Sequence, residues 1–159
     1  METMDAAENI IAVTINPGTI FAKAIIDITN YKEDYLMKFF ICEHCGNIIE
    51  YVKSTGVPVM CCGQKMTELI PGTSDGAHEK HVPVVTINGN TVVVEVGSVE
   101  HPMVEAHYIQ WIAIETTHGS QRIYLTPDDK PRAEFKLADG EAFVAAYEYC
   151  NLHGLWKSN

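Results

Sequence analysis

Cys150 and His153 stand three residues apart in Tyr149-Cys150-Asn151-Leu152-His153-Gly154-Leu155-Trp156, and both are side-chain types that bind transition metals. On a straight strand they point to opposite faces, because side chains alternate with a period of two. The backbone must bend here, and Gly154 permits the bend. Bent, the segment aims a sulfur and a ring nitrogen at one point. More imidazoles lie upstream: His81, beside the charged pair Glu79 and Lys80, then His101 and His107. The last two are six residues apart, about 20 Å on an extended strand, whereas two nitrogens bound to one metal at about 2.1 Å lie at most about 4 Å apart. Shared ligation requires His101-Pro102-Met103-Val104-Glu105-Ala106-His107 to be a loop, which Pro102 favours. Five candidate ligands therefore come from three loops: His81, His101, His107, Cys150 and His153. Singly, each is more often an ordinary polar residue; together they point to a metal site. His78 and His118 lack such company and are expected at the surface.

The other four cysteines form two close pairs, Cys42-x-x-Cys45 and the adjacent Cys61-Cys62. This spacing is not a disulfide framework; it reads as metal ligands in a reducing compartment. Gly46 permits the tight turn that faces backbone amides toward the sulfurs. A unit of about forty residues has too little core to fold alone, so its stability calls for a metal staple. A cluster of free thiols, or a vicinal disulfide between Cys61 and Cys62, is the competing reading. Four thiolates suit zinc and iron equally, and the adjacency of Cys61 and Cys62 predicts a distorted centre. His44 is expected as an exposed polar residue.

Short strands must position these groups. Phe39–Ile41 is expected to run into the first cysteine pair, with a second strand over residues 48–52 and a turn at Gly56-Val57-Pro58. After the turn-rich linker Pro71-Gly72-Thr73-Ser74-Asp75-Gly76, residues 82–87 and Thr91–Val96 flank Asn88-Gly89-Asn90, a strong hairpin signal. Further strands are expected over residues 108–116, 121–125, 133–137 and 141–149, with turns at His118-Gly119-Ser120 and Asp139-Gly140. Roughly seven short strands predict an immunoglobulin-like β-sandwich, with no helix of useful length after Met37. Trp111 and Trp156 are expected in its core. Residues 1–36, with Asn16-Pro17-Gly18 at their centre, read as two short helices or a helix and a strand that serve as a packing or dimer-contact appendage.

The 159 residues are 47% hydrophobic with a formal net charge of −10, enough for one full core or for a small unit and a medium one. The negative balance argues against nucleic-acid and anionic-membrane partners, which need clustered positive charge. The start of the chain is acidic where a secretory signal is basic. The apolar stretch over residues 10–26 is broken by Asn16-Pro17-Gly18 and carries Lys23, which argues against a membrane span. A soluble cytoplasmic protein is the expectation.

Taken together, Cys42-x-x-Cys45, Cys61-Cys62, His78-Glu79-Lys80-His81-Val82-Pro83, Glu100-His101-Pro102 with His107, and Cys150-Asn151-Leu152-His153-Gly154-Leu155-Trp156 closely resemble the desulfoferrodoxins, the two-iron superoxide reductases. The resemblance runs from Met37 onward. It implies a mainly β protein with an N-terminal extension over residues 1–36, a desulforedoxin-like domain over 37–73, and a reductase sandwich over 74–159. It implies an Fe(Cys)4 centre at Cys42, Cys45, Cys61 and Cys62. It further implies a catalytic iron with His81, His101, His107 and His153 as equatorial ligands and Cys150 as the axial one. Superoxide is the implied substrate, reduced by one electron to hydrogen peroxide, with a rubredoxin-like electron donor and a homodimeric assembly. The family's Glu-Lys pair falls on Glu79 and Lys80. Five ligands leave one octahedral position open opposite Cys150. Lys80 would orient the anion and the water that supplies a proton, and Glu79 would occupy the open position afterwards.

Three other classes compete. A zinc-ribbon-like adaptor fused to a sandwich would be colourless and redox-silent. An electron-transfer protein or iron sensor would hold ligand-saturated iron in both oxidation states. A non-haem oxygenase fits badly, since its two histidines and one carboxylate leave more positions open.

Overall fold

A computed structural model describes residues 37–158; the expectations for residues 1–36 lie outside them. Strand β1 (Phe39–Ile41) pairs antiparallel with β2 (Ile48–Glu50) on one side and, across the sheet, with β5 (Thr67–Leu69) on the other. Between them in sequence, β3 (Met60–Cys61) and β4 (Gln64–Lys65) form a separate two-residue hairpin. The first strand lies where its apolar run predicts, and the second stops two residues short of the expected span. The last three escape sequence reading because two or three mostly exposed residues show no alternation. Phe39, Cys42 and Met66 are the buried hydrophobic residues of this unit.

The rest of the described chain is a sandwich of seven strands preceded by one helical turn, α1 (His78–His81). One sheet carries β6 (Pro83–Asn88), β7 (Thr91–Val96) and β10 (Arg132–Lys136) in the order β10-β7-β6. The other carries β8 (Ile109–Thr116), β9 (Gly119–Tyr124), β11 (Phe143–Cys150) and β12 (Gly154–Lys157) in the order β12-β11-β8-β9. The expected hairpin closes on Asn88 opposite Thr91, and the immunoglobulin-like two-sheet arrangement holds. Two expectations need correction. The turn placed at His118-Gly119-Ser120 is the pair Thr117-His118, because Gly119 already pairs with Thr116 and the Thr116 hydroxyl donates to the Gly119 carbonyl at 3.1 Å. A final strand, β12, follows directly on the Cys150–His153 bend.

Central strands β8 and β11 are buried on both faces, so they read as continuous apolar runs rather than alternating ones. Inward, Ile112, Ile114, Ala146 and Cys150 join Val92, Val94, Phe135 and their neighbours in the sandwich core. Outward, Trp111, Ala113, Ala145, Tyr147 and Tyr149 pack with Phe39 of the small unit. The Phe39 ring lies 5.1 Å from that of Trp111 and 5.8 Å from that of Tyr147. Arg122 covers this contact, its guanidinium 4.9 Å from the Trp111 ring and 2.5 Å from Glu50 of β2. The four-cysteine unit is thus docked on the outer face of the strand that ends in Cys150. No helix among the described residues is long and apolar enough to cross a membrane.

Candidate metal centres

Strand β1 delivers Cys42 into a knuckle in which the Cys42 amide donates to Asn47 O at 2.9 Å and the Gly46 amide to Cys42 O at 2.8 Å. The β3–β4 hairpin brings Cys61 and Cys62 opposite. The four sulfurs gather within 4.8 Å of one another. Those of Cys45 and Cys61 are 3.6 Å apart, those of Cys61 and Cys62 3.9 Å. A tetrahedron with metal–sulfur bonds of about 2.3 Å has edges of about 3.8 Å, so the spacing suits one metal ion. All four are free thiols, which removes the vicinal-disulfide alternative. The adjacency of Cys61 and Cys62 shows in the backbone of Cys62, whose φ of 49° is the left-handed value that side chains rarely adopt. The Cys45 amide facing the sulfur holds the Cys42 thiol down to about 6, while crowding by the Cys45 and Cys61 sulfurs pushes Cys62 up to about 12. Four sulfurs this close cannot all ionise without a cation between them. His44 is exposed, as expected.

The second group is built from three separate segments. Helical turn α1 presents His81; the loop from β7 to β8 presents His101 and His107; and the bend from β11 to β12 presents Cys150 and His153. Tyr149 and Leu155 pair across that bend, and Gly154, at φ 67°, turns the chain back. One donor atom from each of these five residues lies within 4.8 Å of the others. The four rings form a square. Adjacent centroids are 4.5 to 4.9 Å apart and adjacent planes cross at 71° to 81°, in the cyclic order His81, His101, His107, His153. His81 and His107, across the square, are 6.3 Å apart and tilted by 28°. Cys150 is fully buried and enters from the sandwich core, its sulfur 3.7 Å from His153 Nδ1.

The tautomers decide what this square is for. Nδ1 of His81 donates to Ala77 O at 2.8 Å, and Nδ1 of His101 to Pro102 O at 2.6 Å; a carbonyl can only accept, so each neutral ring carries its proton on Nδ1. Their Nε2 atoms are then bare lone pairs, yet they face each other at 3.2 Å, and His153 Nδ1 stands 3.0 Å from His81 Nε2. Nε2 of His107 is buried with no hydrogen-bond partner. Protonation is no remedy, because burial lowers the pKa of His81 and His107 and brings that of His101 to about 4. His81 and His101 thus bring two lone pairs together with no proton between them, an arrangement that calls for a cation. Octahedral neighbours at about 2.1 Å from a metal are about 3.0 Å apart, so the donor set fits iron.

A pH dependence follows for the metal-free protein. The folded-state pKa of His101 lies below its ordinary value, so the unfolded chain binds more protons and stability falls with pH from 6.5 until about 4. Between pH 7 and pH 5 the expected loss is about 2 kcal/mol from His101 alone, with His81 and His107 adding in the same direction. Buried Glu148, whose pKa is raised, gains stability over the same interval, so the His101 contribution is read as a difference. In urea unfolding, metal-free wild-type protein is expected to lose more stability between the two pH values than metal-free His101→Gln, and an equal change in both would contradict the neutral tautomer of His101.

All nine ligand candidates converge in these two groups. Glu79 and Lys80 are exposed on the α1 turn that carries His81, and the Glu79 carbonyl is held by the Val99 amide at 2.9 Å. His78 and His118 are exposed, as expected. Both tryptophans are core residues, but Trp156 also stacks on His81 at 4.9 Å and donates from Nε1 to His153 O at 3.0 Å. Ser74 donates to the same carbonyl at 2.6 Å. Gly76 passes so close that a Cβ there would sit 2.9 Å from Trp156 and 3.0 Å from the His81 ring. Glu148 is fully buried and its carboxyl oxygens have no partner among the described residues; burial raises its pKa well above the carboxylate range. Sequence reading missed these features: serine and glycine are ordinary in a linker, and a lone glutamate within a strand signals nothing.

The sequence profile of the family described as desulfoferrodoxin matches residues 73–159. The desulfoferrodoxin of Nitratidesulfovibrio vulgaris is 47% identical over 121 residues, covering 76% of this chain and 94% of that protein. That of Syntrophotalea carbinolica is 46% identical over 122 residues, covering 77% and 95%. Among solved structures, the superoxide reductase from Treponema pallidum aligns with a TM-score of 0.66 at 34% identity, over 78% of this chain and 98% of that one.

Proposed function

Since the chain belongs to the desulfoferrodoxin family, we propose that it is a superoxide reductase whose reaction takes place at the histidine–cysteine centre. His81, His101, His107, His153 and Cys150 would hold one iron, and Cys42, Cys45, Cys61 and Cys62 another. The observation that carries this reading is the square of imidazoles, two of them with bare, facing nitrogens, beside a thiol that enters from the core. Iron held there supplies reversible one-electron chemistry. The net reaction joins one superoxide, one electron and two protons into one hydrogen peroxide, so no dioxygen is released.

The chain's own groups divide the remaining work. Cys150 comes from the buried side, whereas Glu79 and Lys80 are exposed on the α1 turn that carries His81. Superoxide is an anion with almost no shape to recognise, and the protein's charge of −10 repels it. Four neutral imidazoles and one thiolate around a divalent ion leave a single net positive charge, and Lys80 adds a second on the turn next to His81. Both act within a Debye length, where local potential outweighs the distant charges. Lys80 would orient the anion and the water that delivers a proton, and Glu79 would supply a carboxylate to the same centre once peroxide has left. The four-cysteine lobe, residues 37–73, serves electron entry or holds that lobe together, while residues 74–159 form the reactive domain. Because each turn consumes an electron, a rubredoxin-like donor completes the cycle. Family membership supports a two-copy assembly, which sedimentation measures.

The test is to mix reduced, iron-loaded protein with a pulse of superoxide. One hydrogen peroxide per superoxide and no dioxygen are expected; dismutation stoichiometry, or no reaction, would overturn the reading. In the same experiment Lys80→Ala slows the encounter more at low salt than at high, and equal slowing at both would remove its steering role. Glu79→Ala shifts the ferric absorption band toward a water- or hydroxide-bound form; an unmoved band removes its closing role.

A further inference from the structure

Two of the four imidazoles are aimed by hydrogen bonds from their own rings, His81 to Ala77 O and His101 to Pro102 O. His107 has no such anchor: its Nε2 is the buried atom without a partner, and no ring hydrogen bond holds it among the described residues. Its direction must come from the backbone on either side, and that backbone is fully engaged. On one side Val104 and His107 exchange both amide hydrogen bonds, at 3.0 and 2.8 Å. On the other, the remaining carbonyl and amide of the two flanking peptide groups go to a single side chain, Asn151. Its Nδ2 donates to Ala106 O at 3.1 Å, and its Oδ1 accepts from the Tyr108 amide at 2.9 Å. The Asn151 amide adds a third link, to Tyr108 O at 3.2 Å.

We infer that Asn151 is a positioning residue of this centre, bracketing His107 and fixing its ring relative to the thiol of the preceding residue, Cys150. The side chain suits this task because one planar amide offers a donor and an acceptor side by side, matching the carbonyl and amide that flank His107. Aspartate has the same shape and lacks the donor. Alanine lacks both. The loop carrying His101 and His107 and the bend carrying Cys150 and His153 are otherwise separate in sequence, so this amide sets their register.

The inference rests on the metal-centre reading above, and the test separates the two. Cobalt(II) is titrated into metal-free protein in which the four-cysteine site has first been filled with zinc, and affinity is read by chelator competition together with the thiolate charge-transfer and ligand-field bands. Wild-type protein is expected to bind with a thiolate band; its failure to do so would overturn the functional reading and this inference with it. Asn151→Ala is expected to bind 10- to 100-fold more weakly, with altered ligand-field bands, and Asn151→Asp to fall between the two. If Asn151→Ala binds cobalt with wild-type affinity and spectrum, the inference is overturned. The same holds if the variant lowers the unfolding midpoints of metal-free and cobalt-loaded protein equally, since that marks a merely structural role.

Discussion

Exchanging Cys150 for serine is expected to cost more than ~100-fold in superoxide reduction and in iron affinity, beyond what is lost when only a supporting partner of a ligand is removed. Cys150 is the single anionic donor of the second centre, and its thiol is fully buried in the sandwich core. Burial raises the thiol's pKa, while the Leu152 and His153 amides pull it down, so the sulfur ionises only with a cation beside it. A serine hydroxyl is far less acidic and would stay neutral, leaving a divalent charge in the core with no anion to balance it. Pulse experiments on iron-loaded Cys150→Ser protein measure the loss, together with the disappearance of the thiolate absorption band. A variant reacting at the wild-type rate would refute the placement of the chemistry at this centre.

The second large effect concerns the other centre. Removing its metal, or replacing Cys61 with serine, is expected to unfold the four-cysteine lobe at a cost on the order of 10 kcal/mol while the sandwich stays intact. The lobe's strands are two or three residues long, and Val52 is 98% exposed there, so the lobe has little core of its own besides the metal. Phe39 is its one fully buried residue in a larger core, against Trp111 and Tyr147, with Met37, Ile48 and Leu69 partly buried beside it. Amide hydrogen exchange resolves the two parts: Phe39–Ile41 and Ile48–Glu50 should lose protection while Ile109–Thr116 and Phe143–Cys150 keep theirs. Single-turnover superoxide reduction should survive the same substitution. Retained protection in β1, or loss of the single-turnover reaction, would contradict this division of labour.

What the sequence disclosed depended on whether the signal lay in residue type or in backbone. Ligands are a matter of type, and all nine candidates came together. Strand β7 was legible from its apolar run and from the Asn-Gly turn before it. Strand β12 was not, because its four residues begin inside the turn that follows Cys150. The α1 turn gave no amphipathic signal, since three of its four residues are exposed; it is held instead by Val99 and Ser98 on the Glu79 carbonyl. The ring anchors of His81 and His101 are carbonyls of Ala77 and Pro102, and a carbonyl belongs to every residue. Asn151 stood in plain view within the last motif, but its work depends on loop residues more than forty positions earlier.

The two centres also differ in how far along the polypeptide their donors are spread. All four sulfurs of the first precede every histidine ligand of the second, and the knuckle and hairpin that carry them are local. The second centre joins His81 to His153 across 72 positions and draws on segments that only the assembled sandwich brings near. Closing long loops is entropically dearer and slower than closing short ones. During synthesis from the ribosome, the four-cysteine site can therefore mature while its neighbour is still being translated. The histidine cradle comes into being last, as a certificate that the sandwich has closed, and iron delivered earlier meets no completed site there.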